Sequence, residues 1–277
     1  INSSLLSIDD VVFEYGLKPK KNQVALPAVR RITLFYEVLY NNTDGDQLEE
    51  WAINKNTFTM PTEPLLQATF LDGSDSSVIV NRTGRVGNFE TTYKEVLEFG
   101  EVYEVRLVSS DAQQHPWHIH GCTVNFTAVG VMDNSQLPYY IDECGYNISN
   151  YRSYNFDSVL PDSTKSVDVI AIGDSFTVPA SGYVAFRFKA DNAGPWLFHC
   201  HMEWHLATGL AMVFSVEKSG TYQNLISPPP SNFPVCGSKN QWPTVPSNSP
   251  SSPNQVSSAY FVAVSFDFFV LILAFWL

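Results

Sequence analysis

Between residues 102 and 108, Tyr103, Val105 and Leu107 alternate with Glu104 and Arg106; further on, Val184, Phe186 and Phe188 alternate with Arg187 and Lys189. A period of two is the pattern of a strand with one face on a core and the other in solvent. Residues 32–40 alternate less cleanly, but their β-branched and aromatic content predicts another strand. Turn formers punctuate these runs at Asp72-Gly73, Asp133-Asn134 and Ala180-Ser181-Gly182. No stretch longer than a couple of turns combines helical periodicity with caps. Short strands bounded by turn signals predict an all-β sandwich or barrel without internal repeats.

The layout read from these patterns has four parts: residues 1–30 as the end of a preceding domain and linker, 31–220 as one all-β domain, 221–258 as a Pro/Ser-rich tail, and 259–277 as a hydrophobic segment. That last stretch of nineteen residues is broken only by Ser265 and Asp267. It could just span a hydrocarbon layer of about 30 Å, although Asp267 would cost about 2.5–3.5 kcal/mol on insertion scales. No Lys or Arg follows it, and a polar, small-residue spacer at 247–258 precedes it, as in a cleaved glycolipid-anchor signal. Pro246, Pro250 and Pro253 set it apart from the folded part. The expectation is attachment to a membrane through this tail, by a glycolipid or a single span. Ile1 in place of Met reads as processing or truncation.

Composition narrows the function. The 277 residues are 44% hydrophobic, 14% aromatic and 16% charged, which excludes whole-chain disorder and a long coiled coil. A net charge of −12 repels phosphate backbones and predicts no nucleic-acid partner. Five Asn-x-Ser/Thr triplets, at Asn2, Asn41, Asn81, Asn125 and Asn147, point to a secreted or cell-surface glycoprotein. Of the four cysteines, Cys122, Cys144, Cys200 and Cys236, one serving as a metal ligand leaves an odd number. An odd count in a secreted chain implies a free thiol or a partner outside this sequence.

All six histidines fall in two windows totalling thirteen residues: His115-Pro116-Trp117-His118-Ile119-His120 and His199-Cys200-His201-Met202-Glu203-Trp204-His205. Such crowding around a cysteine points to metal. On a strand, residues two apart share a face. His199 and His201 therefore point one way and Cys200 the other; His118 and His120 share a face, with His115 opposite. One donor set holds His115, Cys200 and His205, and the other His118, His120, His199 and His201. Two imidazoles and a thiolate with a weak axial position make a blue-copper electron-transfer site. Zinc sites are tetrahedral and redox-silent, and structural ones favour CxxC-like pairs that are missing here. By ligand type the all-imidazole set suits copper or zinc equally; its wiring to a Cys–copper centre, back to back across one strand, suits electron flow.

The two windows resemble the paired signature motifs of multicopper oxidases, the laccase, ascorbate oxidase and ferroxidase family, in its C-terminal cupredoxin domain. The segments 51–54 (Trp-Ala-Ile-Asn), 64–67 and 190–196 (Ala-Asp-Asn-Ala-Gly-Pro-Trp) are similar to fungal laccases as well, so the likeness covers about residues 31–236. It implies a cupredoxin-like Greek-key β-sandwich and four coppers in the complete protein. His115, Cys200 and His205 would hold the type 1 copper, His118 the type 2 copper, and His120, His199 and His201 the binuclear type 3 pair. The family's trinuclear cluster uses eight histidines, so N-terminal cupredoxin domains would supply the other four. The fragment alone is expected not to reduce oxygen.

The resemblance frames further residues. Leu210, ten after Cys200, takes the axial position as a non-ligand, with Met212 on the same face as its competitor. Cys122 stands where a histidine is common; it could pair with Cys144 or stay buried. Cys236 resembles the cysteine that bridges to the first domain in fungal laccases. Glu203 is a candidate proton relay and Asp111 a candidate substrate contact, the latter in a region where fungal ferroxidases bind Fe(II). Trp117, Trp196 and Trp204 are expected to pack in the core. The implied activity is oxidation of a small-molecule reductant one electron at a time, phenols or aromatic amines first, with O2 reduced to water. A cell-surface ferroxidase and a non-catalytic blue-copper electron carrier are the alternatives.

Overall fold

The computed structural model describes residues 23–43, 46–60, 64–66, 94–109, 111–132, 141–142, 145–146, 160–219, 225–227, 230 and 232–234, with backbone alone at 39–43, 46–49, 141–142 and 145–146. In chain order the strands are β1 (Val24–Ala25), β2 (Arg30–Thr43), β3 (Asp46–Ile53), β4 (Lys94–Glu98), β5 (Val102–Ser109), β6 (His115–Ile119), β7 (Val124–Val131), β8 (Ile141–Asp142), β9 (Gly145–Tyr146), β10 (Val167–Asp168), β11 (Ala171–Gly173), β12 (Ser175–Val178), β13 (Gly182–Lys189), β14 (Gly194–Cys200) and β15 (Ala211–Glu217). A short helix, α1 (Glu203–Ala207), follows β14.

Two sheets face each other. One has six strands in the order β11-β7-β13-β5-β2-β3 and the other five in the order β12-β6-β14-β15-β4. Most neighbours are antiparallel; β2 with β5 and β15 with β4 run parallel, so the chain crosses between sheets rather than meandering. The predicted alternations at 102–108 and 184–189 become β5 and β13, paired Val105 to Phe186 and Leu107 to Val184. Their apolar members meet Trp117, Ile119, Phe198, Met212 and Phe214 of the second sheet in one core. The phenylalanines interlock there: Phe186 lies 5.4 Å from Phe176 and 6.1 Å from Phe198, both edge-on.

The polar side of those alternations departs from expectation. Glu104 and Arg187 do not face water; each is 1% exposed. Segment 160–168 crosses the outside of the six-stranded sheet, pairing with the incoming chain through β1 and β10. Leu160 seals an outer cluster with Val108, Met132, Tyr183 and Ala185. Arg187 pairs with Glu104 at 2.7 Å and donates to the carbonyls of Leu26, Lys165 and Asp162. Arg31 closes on the other Glu104 oxygen and on the carbonyl of Pro161. Charged side chains on an outer face are thus buried because two extended segments cover it, and the carbonyls of Leu26, Pro161, Asp162 and Lys165 belong to those segments.

Cys144, Cys236 and the 259–277 stretch lie outside the described residues. Among the described residues no helix is long and apolar enough to cross a membrane.

Candidate metal centre

β6 and β14 are neighbours, with His199 opposite His118 and Cys200 opposite Trp117. The N–H of His201 donates to the Pro116 carbonyl at 2.7 Å and continues this register past the strand end. Strand alternation then divides the side chains. His115, Trp117, Ile119, Phe198 and Cys200 point into the core, none more than 1% exposed. His118, His120 and His201 emerge on the opposite side, with His199 beneath them.

On the core side three donor atoms converge. Cys200 Sγ lies 3.7 Å from His115 Nδ1 and 3.6 Å from His205 Nδ1, and the two nitrogens are 3.1 Å apart. The circle through a triangle of those sides has a radius of about 2.0 Å, close to a metal–nitrogen bond and a little short of a metal–sulfur bond. His115 is oriented from behind: its Nε2 donates to Asp111 Oδ2 at 2.6 Å, which leaves Nδ1 with a lone pair turned toward the sulfur. His205 comes from α1, whose loop returns so that Leu210 N binds His205 O, and Cys200 N binds Leu210 O. The surroundings oppose charge. Burial pushes the Cys200 thiol up to about 11, and burial, then the charge of His115, lowers His205. Three electron-rich atoms in an apolar pocket, one of them a sulfur, fit a soft cation, and a bound cation would reverse these shifts. The donor set fits copper.

The other side carries four imidazoles. Ring centres of His118 lie 4.8 Å from His120, 5.8 Å from His199 and 6.1 Å from His201. His118 Nδ1–H donates to the Asp174 carbonyl at 3.0 Å and His199 Nδ1–H to the Cys200 carbonyl at 2.9 Å, so both rings turn Nε2 outward. His120 Nε2 meets His199 Nε2 at 3.2 Å. Burial first, then the crowd of His199, His118 and His201, takes His120 down to about 4. An open cleft beside them is lined by Cys122, Asn125, Asp174 and Trp196. Gly121 turns the chain there at φ +77°, and a Cβ would fall 2.2 Å from Trp196.

The remaining predicted residues divide. Asp111 sits against His115, and its N–H donates to Ser109 Oγ, so it is both a turn former and a neighbour of the centre. Leu210 lies beside Cys200 through their backbone bond, while Met212 pairs with Phe198 two residues further along; both are fully buried. Glu203 is exposed in the first turn of α1. Cys122 is a free, half-buried thiol that burial pushes up to about 12. Trp117 is core and Trp196 partly so, but Trp204 is 70% exposed, a correction to its expected packing. It projects from a one-turn helix that buries none of its residues. Sequence reasoning missed Trp51 and Tyr36. Both rings lie edge-on to His115, at 4.9 and 5.0 Å, and Trp51 also tilts over His205 at 4.5 Å.

Residues 57–220 match the family model described as multicopper oxidase. The chain belongs to the multicopper oxidase family. Among its relatives, Laccase-10 of Arabidopsis thaliana is 34% identical over 201 residues, 67% of this chain and 32% of that protein. Laccase-10 of Oryza sativa subsp. japonica is 32% identical over 203 residues, 67% of this chain and 31% of that protein. The chain thus spans about a third of the length of such multicopper oxidases. Among solved structures it is similar to Fet3p, a multicopper oxidase that functions in iron import, at 25% identity and a TM-score of 0.53 over 76% of this chain and 36% of that one. The laccase from Botrytis aclada, 21% identical with a TM-score of 0.50 over 72% of this chain and 30% of that one, shares the fold.

Proposed function

We propose that the protein containing this chain is a copper-dependent oxidase that takes electrons singly from a small reductant and delivers them to dioxygen. The observation that carries this reading is the division at β14: a cysteine sulfur and two imidazoles on one face, four imidazoles on the other. His115, Cys200 and His205 would hold a type 1 copper, with the buried Leu210 beside them as a non-ligand. His118 would contribute to a type 2 copper, and His120, His199 and His201 to a type 3 pair that domains of the same protein complete. Bound copper supplies a one-electron couple there and a site for dioxygen.

The chain's own residues prepare both places. Asp111 fixes the tautomer of His115, and the Asp174 and Cys200 carbonyls fix those of His118 and His199. Trp51, Tyr36 and Trp117 surround the sulfur side with buried aromatic carbon and exclude water. Cys200 and its peptide neighbours His199 and His201 form the covalent route between the two donor sets. Reduction of dioxygen to water consumes protons, and Glu203, exposed two residues beyond His201, would carry them inward.

Phenols or aromatic amines are the leading reductants, supported by the laccases among the relatives. Fe(II) is the second reading, favoured by one observation: the Asp111 carboxylate, an oxygen donor suited to a hard cation, touches His115. An electron carrier without oxidase activity would leave the four imidazoles of the second face without a role. A secreted or cell-surface location is supported by the five glycosylation triplets.

The test is metal analysis and visible absorption of the full-length protein beside Cys200→Ser. An intense thiolate-to-copper band, lost in the variant with oxygen uptake, is the expected result. Zinc in place of copper, or no such band, overturns the proposal. Oxygen uptake with Fe(II) against a substituted phenol then decides the reductant.

A further inference from the structure

Residues 51–58 form a structure that the ligands alone do not explain. Ile53 and Asn56 exchange both backbone hydrogen bonds around Asn54 and Lys55, which take φ of 50° and 69°. That is a two-residue hairpin of the mirror-image type, and its positive φ values suit asparagine better than lysine. Asn54 locks the turn to β2: its Oδ1 accepts from Phe35 N, and its Nδ2 donates to Thr33 O. The two arms then grip the loop that follows His205. Trp51 N–H donates to the Thr208 carbonyl at 2.8 Å, and Phe58 N–H to the Gly209 carbonyl at 3.0 Å. The fit is close enough that a Cβ on Gly209 would fall 2.2 Å from Thr57 Cγ2 and 2.6 Å from the Trp51 carbonyl.

Held in this way, the Trp51 indole is 5% exposed and covers both imidazoles, tilted 35° over His205 and edge-on, at 66°, to His115. A buried indole against two rings restricts their rotation. It also closes the apolar wall beside Cys200.

We propose that Trp51 is a positioning residue for the thiolate–imidazole centre, acting through His205 and His115 to set their ring planes and to keep water from the sulfur. This rests on the reading of those residues and Cys200 as copper ligands. An apolar wall disfavours the more highly charged oxidised metal, so Trp51 holds the reduction potential up. Loss of the indole lets water in and lowers it.

The test uses the full-length, copper-loaded protein with Trp51→Leu, which keeps an apolar side chain without a ring, and Trp51→Phe, which keeps a smaller ring. Both variants are expected to retain the thiolate-to-copper band. The Leu variant should show altered EPR hyperfine splitting, a lower potential by redox titration, and about tenfold weaker copper retention against a chelator, the scale seen when groups behind metal ligands are removed. The Phe variant should shift the same way by less. Potentials and EPR parameters equal to the parent's in both variants overturn the proposal; should the Leu variant not fold, parental values in the Phe variant do so alone. A parent protein without the thiolate band overturns the ligand assignment itself, a failure distinct from the first.

Discussion

Asp111 holds His115 by the ring nitrogen that faces away from Cys200: Oδ2 is 2.6 Å from Nε2, while Nδ1 is 3.7 Å from the sulfur. A carboxylate so placed could act on the ring, on an arriving cation, or on both. In the complete protein, Asp111→Ala is expected to slow Fe(II) oxidation about 10- to 100-fold. Oxidation of an uncharged phenol should fall much less. Oxygen uptake with the two reductants makes the comparison, and equal losses would mean that Asp111 serves the ring alone.

Glu203→Gln separates the two half-reactions. Glu203 is exposed, two residues past His201. Reduction of dioxygen should slow about 100-fold, the scale of a lost proton carrier. Anaerobic bleaching of the thiolate band by substrate should keep its rate. Stopped-flow absorption measures both, and parallel losses would remove Glu203 from the relay role.

Arg187→Ala leaves Glu104 buried with only Arg31 beside it and frees three carbonyls of the covering segments. Removing one partner of a buried pair costs about 3–5 kcal/mol. Urea unfolding of the metal-free chain should report a loss on that scale. A loss below about 1 kcal/mol, the range of surface ion pairs, would show that the outer face is open to water in solution.

The metal-free chain should also weaken in mild acid. His120 titrates at about 4 when folded, against about 6.5 for a free histidine. His199 and His205 are lowered too, each chiefly by burial. The unfolded chain therefore binds more protons across that window, and stability present above pH 6.5 drains as pH falls toward 4. Melting temperature followed from pH 8 to pH 4 should be flat at first and then decline. Copper loading should steepen the acid loss, since protons compete for the same nitrogens.

Much of this was legible because it is local. The period of two at β5 and β13 appears within eight residues, and the opposition of Cys200 to His199 and His201 follows from three consecutive side chains on a strand. What depends on distant chain was not. Glu104 and Arg187 read as solvent-facing because nothing near them announces that 160–168 will lie over them. Trp51 is 64 residues from His115 and 154 from His205, so its place against both rings is a product of sheet packing. Trp204 erred the other way: it sits between Glu203 and a donor, but one turn of helix turns its ring out.

The register between β6 and β14, His199 to His118 and Cys200 to Trp117, also restricts how such a gene can change. Deleting or inserting a single codon inside either strand would exchange sulfur for imidazole across the sheet and scramble both chemistries in one step. Length variation among descendants should therefore gather in the turns, and these few rungs should be where the reading frame of the fold is least forgiving.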